Sequence, residues 1–193
     1  SELAAELVAI LALAAIRKGH DLGNARPDWP YRSSEWIAEA ERLVLQDSEQ
    51  EVKLDRHLAA GSAPDSAVEL GRSADAAFRP GRFEVAARWF RAGFEGDPRL
   101  AENLRQSHRF HAACAAVAAA RTSGAPETAQ EWRRKAHDWL VEDLDAWRAR
   151  YEDGQVKDTD VRRALSMMLH DLALAAVRGE GLASLVGPER GSF

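Results

Sequence analysis

The stretch "ADAAFRPGRFEVAARWFRAGFEGDP", Ala74–Pro98, decides the fold. Pro80-Gly81 interrupts it near the front, because proline cannot continue a helix and glycine accepts turn geometry. Asp97-Pro98 closes it, with a residue that caps helices followed by one tolerated at the first helical position. Between these signals Ala86, Phe90 and Gly93 alternate small and large along one helical face. A small residue lets a neighbouring helix approach, and a large one a turn later fills the space beside it. The stretch therefore predicts two helices packed as a hairpin, the second over 82–95.

A second segment echoes the first. Ala86, Trp89, Phe90 and Phe94 correspond to Ala136, Trp139, Leu140 and Leu144. A hairpin that cannot bury both of its faces stacks on another, so a repeated hairpin predicts a stacked array. The second unit is looser, with an extended connection "RTSGAPETAQ" and Asp143 where a small residue is usual.

Outward from these units the chain reads as helix throughout. Alanine and leucine dominate, β-branched residues are sparse, and almost nothing alternates with period two. A first helix is expected over 2–18, closed by Gly19 and Gly23. A second is expected over 35–46, capped by Ser33 or Ser34, with Trp36, Ile37, Ala40, Leu43 and Val44 on one side. Residues 47–60 read as partly helical. Ser66 and Glu69 form a capping box that opens a helix running to Phe78. One long helix is expected over 99–121. Another, over 126–151, carries a stripe of Trp132, Ala136, Trp139, Leu140, Leu144 and Trp147. Asp158 or Thr159 caps a helix to His170, and Leu182, Leu185 and Val186 mark a terminal piece. The fold class is thus all-α, with an N-terminal helical segment at 1–60, two helix pairs at 61–151 and a capping region at 152–193, forming one continuous domain.

Composition limits function. The chain has 193 residues, a formal net charge of −5 and a pI near 5.7. Arg and Lys are interleaved with Asp and Glu, which argues against nucleic acid as a partner. The run from Leu3 to Ile16 is too short to span a bilayer and lacks the flanks of a signal peptide, so no membrane association is expected. A single cysteine excludes an internal disulfide and fits a reducing, cytoplasmic setting.

The first hairpin, with Ala74, Gly81, Ala86, Phe90, Gly93 and Pro98 in register, resembles a tetratricopeptide repeat (TPR). The segments "RFEVAARWFRAGFEGDPRLAENLRQSHRFHAACAAVAAA", "KAHDWLVEDLDAW" and "HDLALAAVRGEGLASL" resemble the helical C-terminal regions of certain bacterial serine/threonine protein kinases. Together they cover about Ser66–Leu185. The family pattern usually has Asn where this chain has His111. The resemblance implies a non-catalytic interaction or scaffolding module beside a kinase domain. The kinase signatures themselves, the Gly-rich loop, "HRD" with its downstream Asn and "DFG", are absent from these residues. A concave groove implied by the repeat would place His111 toward a bound peptide, where it donates or accepts as Asn does.

Three other readings bear on these residues. His108, His111 and Cys114 stand three apart, so on a straight helix they fan over about 120° and span about 9 Å. Neighbouring pairs could share a metal, but all three could not ligate one zinc. No metal site or cofactor is therefore expected, and Cys114 reads as a small buried residue. His108, His137-Asp138 and Asp171 can be drawn in the order used by metal-dependent phosphohydrolases of the HD type. The alternative expectation is accordingly a metal hydrolase, although no His or Asp follows Asp171. A third expectation is a purely structural spacer. Arg72, Arg79, Arg82 and Arg88 cluster around the first hairpin and suit an acidic partner segment. No catalytic residue is assigned, and the expected peptide-binding set is His111, Arg72, His108 and Arg82.

Overall fold

The computed structural model describes residues 2–26, 28–79, 81–171 and 174, with side chains from residue 11 onward. Among these residues the regular structure is eight α-helices without a strand. The chain divides into two compact units, Ser1–Ser62 and Ala63–Phe193.

The first unit pairs α1 (Glu2–Asn24) with α2 (Ser33–Ala60). Helix α1 runs past the expected stop at Lys18 and through both glycines. Gly23 is a packing position: an added Cβ there would collide with the indole of Trp29. Residues 47–60, expected to be partly helical, are helical throughout as the second half of α2. No Gly or Pro interrupts Ser33–Ala60, and Gly61 in the left-handed conformation (φ 60°) ends it. There Ser62 N–H donates to His57 O at 2.9 Å, satisfying one of the last carbonyls. Ser33 does not cap α2. The N-cap is Arg32, without a side-chain cap bond, and the Ser33 hydroxyl instead meets His20 Nδ1 at 2.7 Å and accepts from Trp29 Nε1–H at 3.2 Å. Trp36 and Leu43 were expected on the packed side of α2. Both are exposed, Trp36 at 53%, and the inner stripe is Ser33, Ile37, Ala40 and Val44.

The second unit holds α3 (Ala67–Phe78), α4 (Phe83–Gly96), α5 (Pro98–Glu102), α6 (His108–Thr122), α7 (Pro126–Glu152) and α8 (Asp158–His170). Ser66 caps α3, its Oγ accepting from Glu69 N–H at 3.2 Å. Gly81 (φ 82°) turns the chain into α4, and Arg82 N–H closes the turn on Ala77 O at 3.0 Å. Asp97 both ends α4 and caps α5, its Oδ1 accepting from Arg99 N–H at 3.1 Å. Leu100 then plugs the gap between α3 and α4. A Cβ on Gly71 would lie 3.1 Å from its Cδ2, and one on Gly93 3.0 Å.

The expected helix over 99–121 is two helices. The chain leaves α5 at Asn103 and restarts at His108, through Ser107 at φ 53°. The reason lies in His108, whose Nδ1 reaches Leu100 O at 3.2 Å. Residues eight apart on a straight α-helix are about 12 Å apart along the axis. The contact therefore requires the chain to fold back.

Helix α6 packs on α4 and on α7, and ten of its fifteen residues are buried. It has no polar face to speak of, as expected of a helix with neighbours on several sides. The core beside it is aromatic. Phe90 lies 5.9 Å from Phe94, Phe94 meets Trp139 edge-on at 5.7 Å, and Phe90 lies 6.0 Å from the His108 ring. Trp139 is 2% exposed, and Ala86 and Ala136 are fully buried beside these rings. The stripe on α7 departs from expectation at one position: Asp143 is buried where Leu144 was expected, and Leu144 is exposed. Helix α8 has Lys157 as its N-cap, without a side-chain bond. Asp158 is its first residue and accepts from Arg162 Nε–H at 2.7 Å, so neither Asp158 nor Thr159 caps it. Ala164 and Met168 are its buried residues. Leu182, Leu185 and Val186 lie outside the described residues. No helix among the described residues is long and apolar enough to cross a membrane.

Candidate functional site

Helix α3 presents Val68, Arg72 and Asp75 on one face, at helical spacings of four and three. That face forms one wall of an open depression of about 500 Å3. Asp97, Arg99 and Leu100 at the start of α5, Asn103 and Gln106 in the connection and His108 at the head of α6 complete the lining. The break between α5 and α6 creates this space, because it turns the connection across the ends of both helices.

The rim carries exposed charge. Arg72 is largely exposed and lies 3.5 Å from Glu69 Oε1. Arg99 is more exposed still and donates to Asp97 Oδ1 at 3.0 Å. That bond holds the Asp97 carboxyl below its ordinary range and raises Arg99, each by the side-chain hydrogen bond first. Asn103 Nδ2–H donates to Gln106 Oε1 at 3.0 Å, keeping the two amides together.

The floor is more constrained. His108 is buried and bonded to Leu100 O, and its Nε2 stands 3.6 Å from Asp75 Oδ2. His111 Nδ1 lies 2.9 Å from Asp75 Oδ1, with its side chain 40% exposed. One carboxylate on α3 thus faces two imidazoles on α6.

Of the four residues expected to bind peptide, Arg72 and His108 line the depression, and His111 joins it through Asp75. His108 is floor rather than contact surface. Arg82 stands apart as the N-cap of α4, outside the lining. Sequence reasoning missed Asp75, Arg99, Asn103 and Gln106. The signal available for Asp75 was its place three residues after Arg72, which puts both on one helical face.

A second, shallower depression of about 410 Å3 lies along α7. Glu102, Arg109, Glu142, Asp145 and Arg150 supply its charges, and Ala146 and Ala149 its small residues. Beside it Asp143 is 2% exposed, and burial pushes its carboxyl up to about 6, against the opposing pull of the Arg109 charge and a hydrogen bond from Trp147. Arg109 Nε lies 3.4 Å from Glu142 Oε2, within ion-pair distance but not in hydrogen-bonding alignment, and both Nε and Nη1 are buried without a hydrogen-bond acceptor. Arg150 Nη2–H donates to Glu102 O at 2.9 Å, tying α7 to the end of α5.

The residues of the metal-hydrolase alternative are not gathered. His108 faces Asp75 and Leu100 O. His137 and Asp138 lie 3.7 Å from each other on an exposed part of α7, and Asp171 is the C-cap of α8. Among the described residues no three His, Cys, Asp or Glu side chains converge as metal ligands would. Cys114 is buried mid-way along α6.

No protein-family model matches the chain, no curated protein matches it, and no solved structure matches it.

Proposed function

We propose that the chain is a non-catalytic protein-interaction module of TPR-like stacked hairpins, α3–α4 and α6–α7, which holds a protein or peptide segment. The observation that carries this reading is the depression beside α3 and the head of α6, seven of whose nine lining residues are polar or charged. It combines long, exposed cations at the rim with paired amides and a buried, hydrogen-bonded floor. Such a surface suits main-chain groups, which need donors and acceptors at fixed places, better than it suits an apolar helix. The packing of α4 between α3 and α6, and of α6 on α7, supports the stacked arrangement. So does the full burial of Ala86, Ala136 and Phe90 and the near-complete burial of Trp139. On this reading the chain acts as a scaffold of the kind that accompanies bacterial serine/threonine kinase domains, in a reducing, cytoplasmic setting.

Binding to a peptide array tests the reading. Arg72→Ala and His111→Ala are each expected to weaken the strongest bound peptides severalfold, as loss of one hydrogen-bonding side chain does. Undiminished binding by both variants overturns the assignment of this surface.

A further inference from the structure

We infer that Asp75 is a positioning residue that sets His111 as a hydrogen-bond acceptor, so that the site selects a segment presenting a backbone N–H at that point. The inference rests on the peptide-binding reading above and deepens it.

A carboxylate oxygen only accepts, so the 2.9 Å contact between His111 Nδ1 and Asp75 Oδ1 requires the proton on Nδ1. A neutral imidazole has one N–H, and the bond made by one nitrogen decides the state of the other. In the neutral ring Nε2 of His111 therefore carries a lone pair, on the far side of a ring that is 40% exposed. The carboxylate that imposes this state bonds to His111 and not to the other ring. The His108 ring is buried near Phe90 and spends its Nδ1–H on Leu100 O at 3.2 Å, and its Nε2 stands 3.6 Å from the second Asp75 oxygen, beyond hydrogen-bond reach. Asp75 on α3 therefore has His111 on α6 as its imidazole partner.

The polarity of the site follows. A partner acceptor brought to His111 would meet a lone pair with a carboxylate behind it, which repels. A partner donor meets an oriented acceptor. An extended segment supplies such a donor from every residue except proline. The selected partner thus carries a residue with an N–H opposite His111, and proline is rejected there.

Imidazole nitrogen NMR on the labelled full chain at pH 8 tests the orientation directly, with His111 assigned by its loss in His111→Ala. The expected signature is a protonated Nδ1 and a bare Nε2 in the wild type, with Asp75→Ala shifting the ring toward the Nε2–H form. A wild-type ring protonated on Nε2 overturns the inference, whether or not Asp75→Ala folds. A random dodecapeptide phage library supplies the second arm. One enriched peptide is N-methylated residue by residue. Binding is expected to fall about fivefold to tenfold at one position in the wild type, and not in His111→Ala or Asp75→Ala. Uniform tolerance of methylation overturns the selected polarity. Failure to enrich any peptide overturns the binding reading instead, while the NMR signature still decides the role of Asp75.

Discussion

Helices α2 and α6 make an instructive pair. The first has 28 residues and buries two of them, Ser33 and Leu54; the second has 15 and buries ten. Both are free of glycine and proline, so propensity does not separate them. The difference is the number of neighbours. Helix α6 has α4 on one side and α7 on another, with α5 at its head, and its alanines let all three approach. Within the first unit α2 has only α1, and larger side chains on its outer faces stay in water. A small residue packed on several sides contributes more to a fold than a large one packed on none.

The most severe way to break that comparison is to truncate one aromatic in each unit. Trp139→Ala should cost about 3–5 kcal/mol of unfolding free energy, because it removes a buried ring and leaves a cavity against Phe94. Trp36→Ala should change it by less than about 1 kcal/mol, since that indole is mostly exposed. Chemical denaturation of the full chain, followed separately in the two units, measures both. Equal losses would end the distinction.

Acidification sharpens it next, at a position with no counterpart in α2. The Asp143 carboxyl is pushed from 3.8 to about 6 in the folded chain. The native state therefore holds its proton more tightly than the unfolded state does. Ionisation of Asp143 destabilises the fold above about pH 6, by up to roughly 3 kcal/mol, and that penalty is relieved as pH falls toward 4. Denaturation midpoints should rise between pH 7 and pH 5 in the wild type and stay flatter in Asp143→Asn. A midpoint that falls equally in both chains contradicts the burial of this group.

The smallest expected effects come from single methyl groups. Gly93→Ala should destabilise by about 1–3 kcal/mol, because its Cβ would lie 3.0 Å from Leu100 Cδ2 in a filled space. Gly19→Ala, within α1 and with nothing nearby, should stabilise by about 0.5–1 kcal/mol through helix propensity alone. Thermal melts that show the same sign for both would contradict the packing described around Leu100.

What could be read from the sequence was whatever short-range chemistry determines. Ser66 caps α3, Gly81 turns the chain, and Asp97-Pro98 ends one helix and starts the next, each through contacts within a few residues. Ala86 and Ala136 could be read as points of close approach because the surrounding pattern repeats. Other features depend on contacts distant in sequence. The break at 103–107 exists because His108 bonds back to Leu100 O, and nothing in "NLRQS" signals it. Asp75 gains its role only when α6 lies beside α3. Asp143 was visible as an oddity in an apolar stripe, but its protonation depends on the burial around it. The stop expected at Lys18 and the partial helix expected over 47–60 depart from the structure for the opposite reason. Isolated glycines and polar runs weaken a helix without ending it when no competing structure gains from the change.

Leu100 has a further consequence, for self-association. Its side chain is gripped between Gly71 and Gly93, while its carbonyl holds His108. The connection between the two hairpins is thus fastened at its beginning and its end. Domain swapping requires a linker that can straighten and carry its hairpin to another molecule. Exchange of α6–α7 between copies would first have to release His108 from the Leu100 carbonyl, while the Leu100 side chain stays between Gly71 and Gly93.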